Sequence, residues 1–127
     1  MKLKNIFCTL LILVCFSGVS QAQADLSFQE TTFDFGAVKA GTDTLWHDFV
    51  FVNKGMDPLQ ISSVNTSCDC TLAEWPKGRV IQPGQKATIK GGFKIAGKSG
   101  AFDKSIIIIA NTTPATTFLT IKGEIKE

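Results

Sequence analysis

The sequence predicts an all-β sandwich of about seven strands, built as a single domain. Three observations predict it. From Leu26 onward, apolar residues alternate with polar ones in short runs, and helical periodicity is almost absent. Turn chemistry recurs at roughly ten-residue intervals, as at Ala40-Gly41-Thr42-Asp43, Asn53-Lys54-Gly55 with Asp57-Pro58, Trp75-Pro76-Lys77-Gly78 and Gln82-Pro83-Gly84-Gln85. Finally, the run Ile106-Ile107-Ile108-Ile109 is wholly β-branched, which suits a pleated, buried surface and penalises a helix.

The strands follow in order. Leu26 and Phe28, then Phe33 and Phe35, alternate as a half-buried strand should, and Gly36 is expected to end that run. From Leu45 to Val52, both faces are apolar. Leu45, His47, Phe49 and Phe51 share one side, and Trp46, Asp48, Val50 and Val52 share the other, the pattern of a central strand. Leu59 and Ile61 open the next strand. Its phase shifts at Ser62-Ser63, so that Val64, Thr66, Cys68, Cys70 and Leu72 fall on one side, and a bulge at the serines accounts for the shift. Ala87, Ile89, Gly91, Phe93 and Ile95 form a strand with one polar face. Gly97-Lys98-Ser99-Gly100 connects it to the isoleucine run, expected to be buried on both faces or to lie in the core. Leu119, Ile121 and Ile125 close the last strand.

The N-terminus is of another kind. Lys2 and Lys4 precede an apolar run from Ile6 to Phe16, and small and polar residues lead to Ala22-Gln23-Ala24. A charged start, a short apolar stretch and an A-x-A site make a secretory signal, and the run falls short of the roughly 20 residues of a membrane span. The expected organisation is a signal peptide over 1–24 and one β-sandwich domain over 25–127. Cys8 and Cys15 lack the small preceding residue that lipid attachment requires and read as ordinary apolar residues of the leader.

Without Lys2 and Lys4, the 13 basic residues fall to 11, against 11 acidic ones. Nothing in this balance forms a basic stripe for phosphates, so no nucleic-acid partner is expected. The mature chain carries no second apolar span, so no membrane span is expected there. No Gly-x-Ser-x-Gly elbow and no calcium-loop spacing of carboxylates occur in the sequence. Asn65-Thr66-Ser67 and Asn111-Thr112-Thr113 match the glycosylation pattern but read as turn or strand-end residues.

The residues that carry chemistry are Cys68 and Cys70, with Asp69 between them. On a regular strand their Cα atoms sit about 6.6–6.8 Å apart, at the upper limit for a disulfide, so a direct bond requires a kinked backbone. Three fates compete: an internal disulfide or structural thiol pair, favoured by an oxidising compartment; a soft-metal site, since two thiolates select ions such as copper(I); and redox exchange or an intermolecular bond. His47, the single histidine, is the one imidazole that a metal site on Cys68 and Cys70 could add. Its place beside Phe49 and Phe51 reads better as a hydrogen-bonded core or boundary residue. Asp48 points to the opposite face and cannot orient it.

Thr32-Phe33-Asp34-Phe35-Gly36-Ala37-Val38, His47 to Gly55, Pro58 to Ile61, Ser67-Cys68-Asp69-Cys70-Thr71, Ile81-Gln82-Pro83-Gly84, Lys104-Ser105-Ile106 and Ile121-Lys122-Gly123 together resemble a bacterial family of exported domains of unknown function. That family is similar to the Ig-like domains of the MSP, ASH and hydin group. The resemblance spans nearly the whole of the expected mature chain and implies an Ig-like sandwich and a bacterial periplasmic or extracellular location. It implies no reaction and no cofactor. The family usually has Gly where this chain has Asp69. The reading that emerges is an exported, non-enzymatic Ig-like domain that binds a protein or cell-envelope component, with a soft-metal or thiol-redox protein as the alternative.

Overall fold

The computed structural model describes residues 23–127, and the expected leader lies outside them except for Gln23 and Ala24. The described residues form eight strands: β1 (Leu26–Phe28), β2 (Thr32–Lys39), β3 (Thr44–Asn53), β4 (Ile61–Thr66), β5 (Thr71–Glu74), β6 (Lys86–Lys94), β7 (Gly100–Ala110) and β8 (Thr116–Lys126). They make two four-stranded sheets, one in the order β1-β3-β6-β5 and the other β2-β8-β7-β4. This is an Ig-like sandwich. All pairings between strands are antiparallel except β2 with β8, which run parallel.

Alternation places the core. Phe49 and Phe51 of β3, Ile89 and Phe93 of β6, Ile106 and Ile108 of β7, and Leu119 and Ile121 of β8 are fully or almost fully buried between the sheets. Burying a side chain of this size contributes about 1.5–3 kcal/mol. The ring of Phe93 stacks on that of Phe102 across the sandwich, with centroids 4.2 Å apart.

Three expectations change. The N-terminal alternation is two strands in two sheets, because β1 pairs with β3 while β2 pairs with β8. Gly36 does not end β2 either. It takes a positive φ of 73°, its amide donates to the Asp34 carboxylate (2.8 Å), and the strand resumes at Ala37 after a register shift. A glycine absorbs such a bulge without the Cβ clash. Of the two expectations for the isoleucine run, the core strand holds and burial on both faces does not, since Ile106 and Ile108 point inward from an inner strand while Ile109 stays 36% exposed. The bulge expected at the serines is present, as a register shift between Ile61 and Ser63.

On the outer face of the first sheet, Trp46 of β3 sits opposite Gly92 of β6. A Cβ on Gly92 would lie 2.7, 2.7 and 3.0 Å from Cε3, Cζ3 and Cδ2 of the indole. Near-equal distances to three contiguous ring atoms mean that the ring lies flat on the glycine. Gly92 therefore provides a seat for Trp46 that any side chain would fill.

Candidate functional site

Cys68 and Cys70 lie in the passage between the sheets. β4 belongs to one sheet and β5 to the other, so Ser67–Cys70 must cross the edge of the sandwich. The single apolar face expected from Val64 to Leu72 is therefore interrupted: the strand stops at Thr66 and restarts at Thr71. Both ends of the crossing are tied down. The Ser67 amide donates to the Ser105 carbonyl (3.2 Å), and the Ser105 amide donates to the Ser67 hydroxyl (3.2 Å). On the far side, the Lys94 amide donates to the Cys70 carbonyl (2.8 Å).

Within the crossing, the Thr71 amide donates to the Cys68 carbonyl (3.0 Å) and closes a four-residue turn. The turn draws the two Cα atoms to 5.3 Å, and the cysteines are joined as a disulfide. Asp69 occupies the second position of this turn, so glycine is not required for the closure. The Cys70 amide donates towards Cys68 Sγ (3.3 Å), and the Thr71 hydroxyl lies 3.7 Å from the same sulfur. Both cysteines are half-buried, while Asp69 is exposed.

His47 is held elsewhere. Its ring stacks on Phe33 with centroids 3.6 Å apart and nearly parallel planes, meets Phe49 edge-on, and its Nε2 lies 2.6 Å from Glu30 Oε1. Glu30 and Phe33 flank the segment in which the chain leaves the β1 sheet for the β2 sheet, so His47 anchors that crossover. Strand register sets its distance from the cysteines. His47 pairs with Gly91 on β6, which pairs with Ala73 on β5, whereas Cys70 bonds to Lys94, which pairs with Thr44. The imidazole and Cys70 are thus two strands apart, roughly 10 Å, and a similar distance along the sheet. The structure brings Cys68 and Cys70 together and does not bring His47 to them. Among the described residues, no group of three or more His, Cys, Asp and Glu side chains is placed to hold a metal.

Two features were not visible in the sequence. Asn53, which reads as a turn residue, is fully buried. Its Oδ1 accepts from the amides of Asp25 (3.1 Å) and Gly55 (2.9 Å), and its Nδ2 donates to the carbonyls of Asp57 (2.8 Å) and Ile81 (3.0 Å). The signal for such a hub was the polar residue closing an apolar strand two positions before a glycine. The second feature is an apolar end on the outer face of the second sheet. Phe118, 58% exposed, pairs with Ile107, which pairs on its other side with Asn65, and Ile109 lies next along β7. No helix among the described residues is long and apolar enough to cross a membrane.

Two four-stranded sheets packed face to face, with β1 and β2 divided between them, define the class as an Ig-like domain, and the cysteine turn sits at its β4–β5 crossing. Residues 26–125 match the family model described as "Protein of unknown function (DUF1573)", and the chain belongs to that family. No curated protein matches the sequence. Among solved structures, a protein of unknown function from Porphyromonas gingivalis W83 is similar, with a TM-score of 0.69 and 21% identity over 84% of this chain. The match takes in 49% of that protein, so the chain spans about half its length. The ASH/PapD-like domain 7 of human CEP192 gives a TM-score of 0.66 at 8% identity, covering 90% of this chain and 94% of that one. The secreted serine protease VesC from Vibrio cholerae gives 0.59 at 15% identity, covering 79% of this chain and 23% of that one. These likenesses are of fold.

Proposed function

We propose that the protein is an exported, non-enzymatic Ig-like module that binds another protein or a cell-envelope component in the periplasm or outside the cell. The observation that carries this reading is the Phe118–Ile107–Ile109 surface. A phenylalanine more than half exposed, beside two isoleucines on the outer sheet face, keeps apolar area in water that a partner would remove from it. Balanced charge and the leader-like N-terminus support export and protein binding over nucleic-acid binding. His47 supports a structural role for itself, because Glu30 and Phe33 already engage its ring. The test is affinity capture from periplasmic extract with the tagged domain. Reproducible enrichment of a partner that competes with untagged domain supports the reading, and failure to enrich any partner above background contradicts it.

A second reading rests on the amide directed at Cys68 Sγ. A donor beside one sulfur favours the thiolate on that atom when the bond opens, which suits thiol–disulfide exchange. The freed pair of thiolates would also suit a soft ion such as copper(I), without His47. Equilibration in graded glutathione buffers tests it: a pair that opens within the range of the periplasmic exchange proteins supports exchange. One that stays oxidised throughout is structural.

A further inference from the structure

Residues just behind the expected cleavage point are part of the domain. The Gln23 carbonyl accepts from the Met56 amide (3.0 Å), and the Asp25 carbonyl accepts from the Lys54 amide (3.3 Å). The Asp25 amide donates to the buried Asn53 side chain (3.1 Å). Between them, Ala24 is only 4% exposed and belongs to the hydrophobic core. Gly55 lies directly under this segment. A Cβ there would collide with the Gln23 carbonyl oxygen and would come within 2.7 Å of the Asp25 nitrogen and 2.8 Å of the Ala24 carbonyl carbon. The absence of a side chain at position 55 is therefore explained by the passage of residues 23–25 over it.

Cleavage after Ala24 would discard this arrangement. It would empty the niche filled by the Ala24 methyl, remove the Gln23–Met56 bond and leave Gly55 with less to accommodate. The sequence offers another site two residues earlier. Ser20-Gln21-Ala22 also places small residues three before and one before the cut, which is the requirement for leader removal. We propose that processing occurs between Ala22 and Gln23, so that the mature chain begins at Gln23 and keeps Gln23 and Ala24 as part of its fold. This rests on the export reading and defines its product.

The experiment is to express the full chain in an exporting bacterium, purify it from the periplasm, and determine its N-terminus by intact mass and terminal peptide sequencing. The expected result is a chain starting at Gln23, with or without loss of ammonia by cyclisation of the terminal glutamine. A chain starting at Asp25 would overturn the inference and leave export intact. A chain that keeps residues 1–22 in the periplasm would overturn the inference, and one found only in the cytoplasm would overturn export itself and the inference with it. Independently, protein prepared to begin at Gln23 should melt at a higher temperature than protein prepared to begin at Asp25. Equal melting temperatures would contradict the structural role of the pair.

Discussion

The side-chain amide of Asn53 donates to the main-chain carbonyl of Ile81, 28 positions later, at 3.0 Å. Ile81 makes only an isolated bridge with Leu59 outside the named strands, so this bond is part of what fixes the loop before β6. The same side chain reaches Asp25, Gly55 and Asp57, and its main chain bonds to Gln85 and Gly84. One buried residue thus ties the segment before β1, the β3–β4 loop and the β5–β6 loop together. Each side-chain bond nets about 1 kcal/mol, and an orphaned buried partner costs about 1–3 kcal/mol. Asn53→Ala is expected to lower stability by about 3–5 kcal/mol on that basis. Urea unfolding checks it, with exposed Gln82→Ala within about 0.5 kcal/mol of wild type as the reference.

Trp46 and Gly92 supply a second prediction. Because the indole lies flat on the glycine, Gly92→Ala should displace the ring and cost about 1–3 kcal/mol, the range for an overpacked site. Trp46→Ala should relieve the clash, so the double variant should be more stable than the sum of the two single losses implies. A double-mutant cycle measures that coupling directly.

The disulfide closes one of the shortest loops a chain can form, with its cysteines two positions apart. In the chain-entropy account such a bond contributes only about 1.5 kcal/mol. Cys68→Ser with Cys70→Ser is therefore expected to leave a folded domain with stability lowered by about that amount. Circular dichroism and urea titration would show it. A variant that cannot fold would assign the crossing a larger structural role than its hydrogen bonds to Ser105 and Lys94 imply.

Glu30 and His47 define a fourth prediction. Glu30→Ala removes the partner of His47 Nε2 but leaves the stack on Phe33. The pair is partly exposed, and pairs of this kind contribute about 0–1 kcal/mol. Phe33→Ala removes a half-buried ring that contacts both Phe35 and His47 and should cost more. Reversal of that order in thermal unfolding would contradict the account of the crossover.

The sandwich was legible in the sequence because period-two alternation reports directly which side chains face inward. Phe49, Phe51, Ile89, Phe93, Leu119 and Ile121 are buried as that pattern requires. Alternation says nothing about which sheet a strand joins. That is why the division of β1 from β2 was missed, and why Val64 to Leu72 read as one face although the chain changes sheets at Ser67. For the candidate site, the sequence singled out Cys68 and Cys70 and recognised that a kink would be needed to join them. The turn that supplies it depends on Ser105 and Lys94, which are distant in sequence. His47 was legible as a boundary residue, but its partner Glu30 was not, because only the crossover brings them together. The outer-face cluster was hidden for a related reason: Phe118 and Ile107 become neighbours only through the β7–β8 register.

The central claim is that the Phe118 face recognises a partner, and the most direct measurement compares capture by wild type and by Phe118→Ser with Ile109→Ser. Both positions are exposed, so the variant should stay within roughly 1 kcal/mol of wild-type stability. The account predicts that a partner enriched from periplasmic extract by wild type is lost, or bound at least about tenfold more weakly, by the folded variant. Undiminished binding of the same partner by the variant would contradict it.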